Sequence, residues 1–422
     1  MHKFIIRGGN QLKGKVKISG SKNASLPIIF SSILTSQTEI GNVPLLRDTK
    51  TAISLLKNMG FKAVFKDGQL SIIKEANIKT EADYELVRTM RASILVLGPL
   101  LSKFKKAKVS LPGGCAIGAR PVNLHLKALS KLGAEIKIDH GYIVANVKNR
   151  LKGAEIVFDF PTVGGTENLI MAAVLAEGKT IIKNAAKEPE IVDLANALKK
   201  AGAIIEGAGT DTIEITGVEE LSKMEHTVMP DRIEAGTFIS FVATAGGEVV
   251  IENFPYQTLE TVVKKFQETG MKIERLNSKT VKVKKNNPLQ GTDITTQVYP
   301  GFPTDMQAQF MATMCLAEEV SIIKENIFEN RFQHVLELQR LGSNITIDGN
   351  TAIVKGVKKL IGAKVMATDL RASASLVAAG LAAENTTEIY RIYHLERGYE
   401  NLEKKLQQLG ANIEKRRTEQ PY

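Results

Sequence analysis

The segment Leu111-Pro112-Gly113-Gly114-Cys115-Ala116-Ile117-Gly118-Ala119-Arg120-Pro121 sets one of only two cysteines in the chain among glycines, close to an arginine. Glycine admits positive φ and lets a ligand approach the backbone. A nearby guanidinium favours thiolate over thiol and lowers a cysteine pKa from about 8.5. Such a thiol suits a nucleophile, a proton donor or a redox sensor. A cysteine can equally be a small apolar residue packed under a loop. Cys315, inside the apolar run FMATMCLAEE, reads as core.

Other segments carry charge where chemistry could use it. Gly20-Ser21-Lys22-Asn23 precedes the apolar run ASLPIIFSSIL. A lysine and an amide at a helix start suit a phosphate or carboxylate, although most surface lysines are simply solvated. Pro300-Gly301-Phe302-Pro303-Thr304-Asp305 precedes MQAQFMATMCLA, so Thr304 or Asp305 is either an N-cap or, for Asp305, a general base acting on a hydroxyl. Met90-Arg91-Ala92-Ser93 and Arg371-Ala372-Ser373 are alike, each an arginine opening an apolar helical run. The helix dipole is already positive there, so this placement makes more sense if an anion binds. Arg397 lies in His394-Leu395-Glu396-Arg397-Gly398. Arg88 and Arg331 could join an anion site, but salt bridges explain them equally well.

The elements that must position these residues repeat. LLKNMGFKAVF, LSKLGAEIKID, LKKAGAIIEGA, FQETGMKIERL, LQRLGSNITID and LQQLGANIEKR share one pattern, with glycines at 60, 133, 202, 270, 342 and 410. Helical spacing precedes each glycine: Tyr399, Leu402, Leu406 and Leu409 mark one face in the last copy. The glycine suits the left-handed position that ends a helix. A short alternating run follows, as in Glu135-Ile136-Lys137-Ile138-Asp139, which reads as a half-buried strand. Each copy is therefore an α/β unit of strand, loop, helix, glycine turn and strand. Six copies divide naturally into two sets of three, with a cleft between them as a ligand site. The Cys115 loop is one of six equivalent loops.

Composition bounds the reading further. A chain of 422 residues exceeds one ordinary core. No run of about 18 apolar residues occurs to span a membrane. The opening MHKFIIRGGNQLKGKVKISG does not resemble a signal peptide, and two distant cysteines suggest no disulfide scaffold, so a cytoplasmic protein is expected. Six scattered histidines and no Cys-x-x-Cys suggest no metal site. The net charge of +11 favours anionic partners. The lysines are dispersed and tryptophan is absent, which argues against nucleic acid.

Over nearly its whole length the sequence resembles the UDP-N-acetylglucosamine 1-carboxyvinyltransferase family. SGSKNASLP, RTMRAS, PGGCAIGARPVNLH, PDRIEAGTF, GFPTDMQAQ, ENIFENRF, TDLRASASL and IYHLERGYE carry the match, in order. The resemblance implies an α/β fold of two inside-out barrels of three repeats each. Residues 22–229 would form one domain with the Cys115 loop. Residues 1–21 and 230–422 would form the other, with the active site in the interdomain cleft and closure on substrate. It implies transfer of the enolpyruvyl group of phosphoenolpyruvate to the 3′-hydroxyl of UDP-N-acetylglucosamine, without metal or organic cofactor. Its nearest alternatives are 5-enolpyruvylshikimate-3-phosphate synthase, which the Cys115 loop and PVNLH disfavour, and a non-enzymatic basic repeat protein.

Residue by residue, the resemblance makes Cys115 the general acid and the target of fosfomycin, and Asp305 the acceptor of the hydroxyl proton. Lys22, Asn23, Arg120, Arg371 and Arg397 would contact phosphoenolpyruvate. Arg91, Arg120, Pro121, Val122, Asn123, Leu124, Val163, Gly164, Asp305 and Ile327 would contact the nucleotide sugar. Asp369 is expected to orient the cationic cluster, and His125 to pack its helix. Asp231, Arg232 and Glu234 are expected as hinge and interdomain contacts. Asn123, Leu95 and Phe160-Pro161 depart from other members, which puts single nucleotide contacts in doubt but not the reaction. The partners are then the two substrates, with no nucleic acid and no membrane, and a monomer is expected.

Overall fold

The computed structural model describes residues 2–111, 122–286 and 288–418. The chain divides into two compact units. The first takes residues 20–111 and 122–229, the second 2–19 and 230–418, among those described.

Each unit holds three four-stranded sheets of one plan. An edge strand runs parallel to its neighbour, and two antiparallel pairings follow. In the first unit Met224–Thr227 pairs with Gln37–Gly41, which pairs with Gln69–Lys74 and then Phe61–Lys66. The other two sheets there are built on Lys106–Ser110 and Lys179–Lys183. In the second unit the sheets are built on Gly247–Glu252, Val320–Lys324 and Thr386–Tyr390. The chain closes each unit by lending strands across sequence. Leu12–Lys17 lies parallel to Gly247–Glu252, and His2–Arg7 sits between Thr386–Tyr390 and Asn412–Arg417.

Two kinds of helix accompany every sheet. The inner ones are mostly apolar and buried over most of their length, with a few buried polar residues among them. They are Lys22–Ser31, Leu97–Phe104 and Val163–Ala173 in the first unit, and Arg232–Ala245, Gln307–Met314 and Leu370–Ala382 in the second. Within each unit they pack on one another, and the sheets lie outside them, which is the inside-out arrangement. The outer helices are amphipathic: Glu260–Glu268 buries Val262, Val263 and Phe266 and leaves its charges outward.

The six repeat glycines end the six outer helices, and each has positive φ, between +88° at Gly342 and +102° at Gly202. An L side chain there strains the backbone. Glu135–Asp139 is a strand, but an outermost one. Ile138 is 59% exposed, so the alternation is present while its apolar face stays largely uncovered. Cys315 is fully buried, and burial pushes its pKa up to about 12, as befits core. No helix among the described residues is long and apolar enough to cross a membrane.

Candidate active site

In the second unit Asp305 lies in the short 3-10 turn Thr304–Met306, just before the inner helix Gln307–Met314. It caps neither: no side-chain cap bond forms at either start. Its carboxylate instead accepts from Arg331 Nη2 at 3.0 Å through Oδ1 and from Arg371 Nε at 3.2 Å through Oδ2. Both arginine side chains are nearly inaccessible, while the aspartate remains 27% exposed. Two guanidiniums, one on each oxygen, fix the plane of the carboxylate. The Asp305 carbonyl accepts from Gln309 Nε2 at 2.9 Å, which ties the turn to its helix.

Arg371 enters from the start of Leu370–Ala382 and lies over the Tyr399 ring, 5.4 Å from its centroid. Burial alone would lower its pKa, but Asp305, then Tyr399 and Asp231, outweigh it and hold the guanidinium charged. Its two terminal nitrogens are buried and make no direct hydrogen bond among the described residues, although the Tyr399 hydroxyl lies close enough to help hold the charge. Donors left unfilled around a held positive charge suit an anion. Arg397 is half-buried at the end of the turn Leu395–Arg397, which packs on the Arg371 helix. The next residue, Gly398, is so close to Leu370 that an added Cβ would lie 2.7 Å from it. Asp305, Arg331 and Arg371 are thus in direct contact, with Arg397 on the adjoining segment. Ile327 N donates to Glu325 at 2.8 Å, on the loop after Val320–Lys324.

In the first unit Lys22 opens the helix Lys22–Ser31, which Ser21 caps by accepting from Ala24 N. Lys22 Nζ lies 3.2 Å from Asp48, both side chains being mostly buried. Asn23 follows, partly buried. Val163 and Gly164 form the first turn of Val163–Ala173, capped by Thr162. A Cβ added to Gly164 would lie 3.3 Å from the His125 ring. The structure so brings the start of this helix to the helix Asn123–Lys131, which Val122 precedes and Asn123 and Leu124 open.

Asn168 joins these pieces: Oδ1 accepts from Gly98 N at 2.6 Å, and Nδ2 donates to Ile94 O at 3.1 Å. His125 Nδ1 lies 3.1 Å from that same Nδ2, so His125 packs its helix. Ile94 belongs to the 3-10 segment Arg91–Val96, so Arg91 starts a segment anchored in the same junction. On the same inner helix Glu167 is buried. Burial, with Glu190 and Glu188 near, pushes its pKa well above the usual carboxylate range.

Cys115, Arg120 and Pro121 lie outside the described residues. Other expectations are revised. Asp369 does not orient a cationic cluster through its carboxylate. It caps Leu370–Ala382, accepting from Arg371 N at 2.8 Å and Ala372 N at 3.0 Å, because a helix start needs acceptors. Glu234 is not an interdomain contact. Its two oxygens accept from Lys405 Nζ and Ser19 N inside the second unit. Asp231 caps Arg232–Ala245, and Arg232 lies over the Tyr299 ring. Leu95 is buried core, whereas Phe160 is 55% exposed. Sequence reading passed over Asn168, Gln309 and Glu325. Each is a polar residue in or beside an apolar run, a pattern that signals a buried hydrogen-bond junction.

The chain matches the family described as EPSP synthase (3-phosphoshikimate 1-carboxyvinyltransferase) over residues 6–406. It is 60% identical to UDP-N-acetylglucosamine 1-carboxyvinyltransferase of Geotalea uraniireducens (strain Rf4), covering 98% of this chain and 99% of that one. It is 58% identical to the protein of the same name from Geobacter metallireducens (strain ATCC 53774 / DSM 7210 / GS-15), with the same coverage. Among solved structures, the enolpyruvyl transferase NikO from Streptomyces tendae superposes with a TM-score of 0.87 at 24% identity, over 98% of both chains. EPSP synthase from Acinetobacter baumannii gives 0.76 at 19% identity, over 99% of this chain and 100% of its own. These two establish the fold, and the full-length identities reach further: the chain belongs to the UDP-N-acetylglucosamine 1-carboxyvinyltransferase family, within the wider group of enolpyruvyl transferases.

Proposed function

We propose that this enzyme transfers the enolpyruvyl group of phosphoenolpyruvate to the 3′-hydroxyl of UDP-N-acetylglucosamine and releases inorganic phosphate, in the cytoplasm, at the first committed step of peptidoglycan synthesis. One observation carries the reading: a carboxylate gripped by two buried guanidiniums, one of which has two terminal nitrogens without a direct hydrogen bond. A hydroxyl to be deprotonated and an anion to be held are what the reaction supplies. The names of the full-length relatives select the acceptor.

In the addition step the sugar oxygen bonds to C2 of phosphoenolpyruvate while C3 takes a proton from the Cys115 thiol. Asp305 receives the hydroxyl proton. The product of this step is a tetrahedral phosphate ketal. Elimination returns a proton from C3 to the Cys115 thiolate and breaks the C2–O bond to phosphate, which leaves with the proton held by Asp305, so the enol ether forms and both groups are restored. Lys22, Asn23, Arg120, Arg371 and Arg397 hold the phosphate and carboxylate of phosphoenolpyruvate, and cationic groups preset around a polyanion stabilise its transition state. Arg91, Arg120, Pro121, Val122, Asn123, Leu124, Val163, Gly164 and the Ile327 backbone hold the nucleotide sugar.

The assignment draws on two three-repeat domains, residues 22–229 and residues 1–21 with 230–422. The division of contacts between residues 229 and 230 supports that partition, while the other division falls between residues 19 and 20 and puts Gly20 and Ser21 with the first unit. The test is whether phosphate release from phosphoenolpyruvate depends on UDP-N-acetylglucosamine.

A further inference from the structure

Glu325, the first residue of ENIFENRF, belongs to none of the roles above, yet its side chain is a buried hub of the second unit. Oε1 accepts from Thr296 Oγ1 at 2.9 Å, Ile327 N at 2.8 Å and Phe328 N at 3.2 Å. Oε2 accepts from Thr304 Oγ1 at 2.9 Å. Asn326 N donates to Thr296 Oγ1 at 2.9 Å, which closes the ring. No lysine or arginine pairs with Glu325 among the described residues, so neutral hydroxyl and amide donors meet the needs of a buried carboxylate.

Such a group is costly unless its acceptor sites are filled, and well placed once they are. Its partners come from three segments: Thr296 after the edge strand Ile294–Thr295, Thr304 at the start of the Asp305 turn, and the 326–328 loop. A single carboxylate therefore fixes the residue next to the proposed base and the backbone proposed to meet the nucleotide sugar.

We propose that Glu325 is a positioning residue for this reaction, locking the Asp305 turn and the Ile327 backbone into one register so that the acceptor hydroxyl is presented to Asp305. The inference rests on the function proposed above. The two carboxylate oxygens hold different segments. Oε2 steadies the base through Thr304, and Oε1 steadies the acceptor loop through Ile327 and Phe328. A glutamine in place of Glu325 can keep its oxygen on the Thr296, Ile327 and Phe328 side and donate its amide to the Thr304 hydroxyl.

The test is steady-state phosphate release by the full-length enzyme, with each substrate varied, for wild type, Glu325→Ala, Glu325→Gln and Thr304→Val. Glu325→Ala is expected to lower kcat roughly tenfold to a hundredfold and to raise KM for UDP-N-acetylglucosamine roughly tenfold, because small misplacements at a reacting centre cost that much. KM for phosphoenolpyruvate should change little. Glu325→Gln should recover most of both losses. Thr304→Val, which cuts only the branch to the base, should lower kcat and leave the acceptor KM near wild type.

A folded Glu325→Ala enzyme with both constants within about twofold of wild type overturns the proposal. So does equal loss in the alanine and glutamine variants. If Glu325→Ala does not fold, Thr304→Val decides, and unchanged kcat there overturns it. Wild type is the control that separates the two claims. No release with UDP-N-acetylglucosamine in wild type refutes the function itself, whereas active wild type with unchanged variants refutes only the role of Glu325.

Discussion

The two units repeat one plan and fill its centre with different chemistry. In the first, the inner helices meet at Asn168, an uncharged amide that serves Gly98, Ile94 and His125. In the second, Gln309 makes the comparable tie to Thr237 and Tyr399, but Asp305, Arg331 and Arg371 surround it with charge. The two Arg-Ala-Ser segments show the same contrast. Arg91 opens a 3-10 segment without a side-chain cap and stays partly exposed. Arg371 opens a thirteen-residue helix capped by Asp369 and is buried against Asp305. The lesson is that the first unit's junction holds helices in place, while the second unit's junction holds a carboxylate ready to react.

The largest effect should follow from breaking the charged junction. Asp305→Asn is expected to lower kcat by about 10²- to 10⁴-fold, the range for loss of a positioned acid or base. Steady-state phosphate release reads this, and a loss below about tenfold would make the carboxylate a structural clamp.

Breaking the neutral junction should do the opposite. Asn168→Ala leaves the Gly98 amide and the Ile94 carbonyl without their partner, at a cost of roughly 2–4 kcal/mol in urea unfolding, with kcat of the folded enzyme near wild type. A kcat collapse at unchanged stability would put Asn168 with the chemistry instead.

His334, beside Arg331, sharpens the comparison through pH. It is buried, and burial pushes its pKa down to about 4, with Asp369 opposing the shift and Arg331 adding to it. The folded protein therefore takes up this proton later than the unfolded chain as pH falls. Its contribution to stability is complete above about pH 6.5. Between there and about pH 4 it should be lost at on the order of 1 kcal/mol per pH unit. His334→Gln should flatten that part of the stability profile, and an unchanged slope would show that other groups set it.

The smallest effect tests what the units share. Gly133 and Gly342 occupy the same turn in different units, at φ +95° and +88°, with nothing within 4 Å of an added Cβ. Gly133→Ala and Gly342→Ala should each cost about 1 kcal/mol of backbone strain. Unequal costs would mean the turns are not equivalent.

Periodic features were legible in the sequence because they are local. Six glycines at nearly regular spacing mark six left-handed turns, and apolar runs mark the inner helices. The edge strands were not legible. Glu81–Ala82 and Ile294–Thr295 are two residues long and carry no alternation. The exposure of Ile138 was hidden too, since alternation records a face but not what covers it. At the site, Asp305 stood out by its place before an apolar run, but its partners lie 26 and 66 residues away, a distance across which spacing says nothing. Asp369 was expected to orient the cationic cluster, but two amides at the helix start claim its carboxylate, and such a local demand is easily overlooked beside an arginine.

The most direct test of the central claim is phosphate release from phosphoenolpyruvate by wild type and Cys115→Ala, with UDP-N-acetylglucosamine or shikimate-3-phosphate as acceptor. Release that requires UDP-N-acetylglucosamine and disappears in Cys115→Ala is the predicted result. Release only with shikimate-3-phosphate, or none with either acceptor, would contradict it.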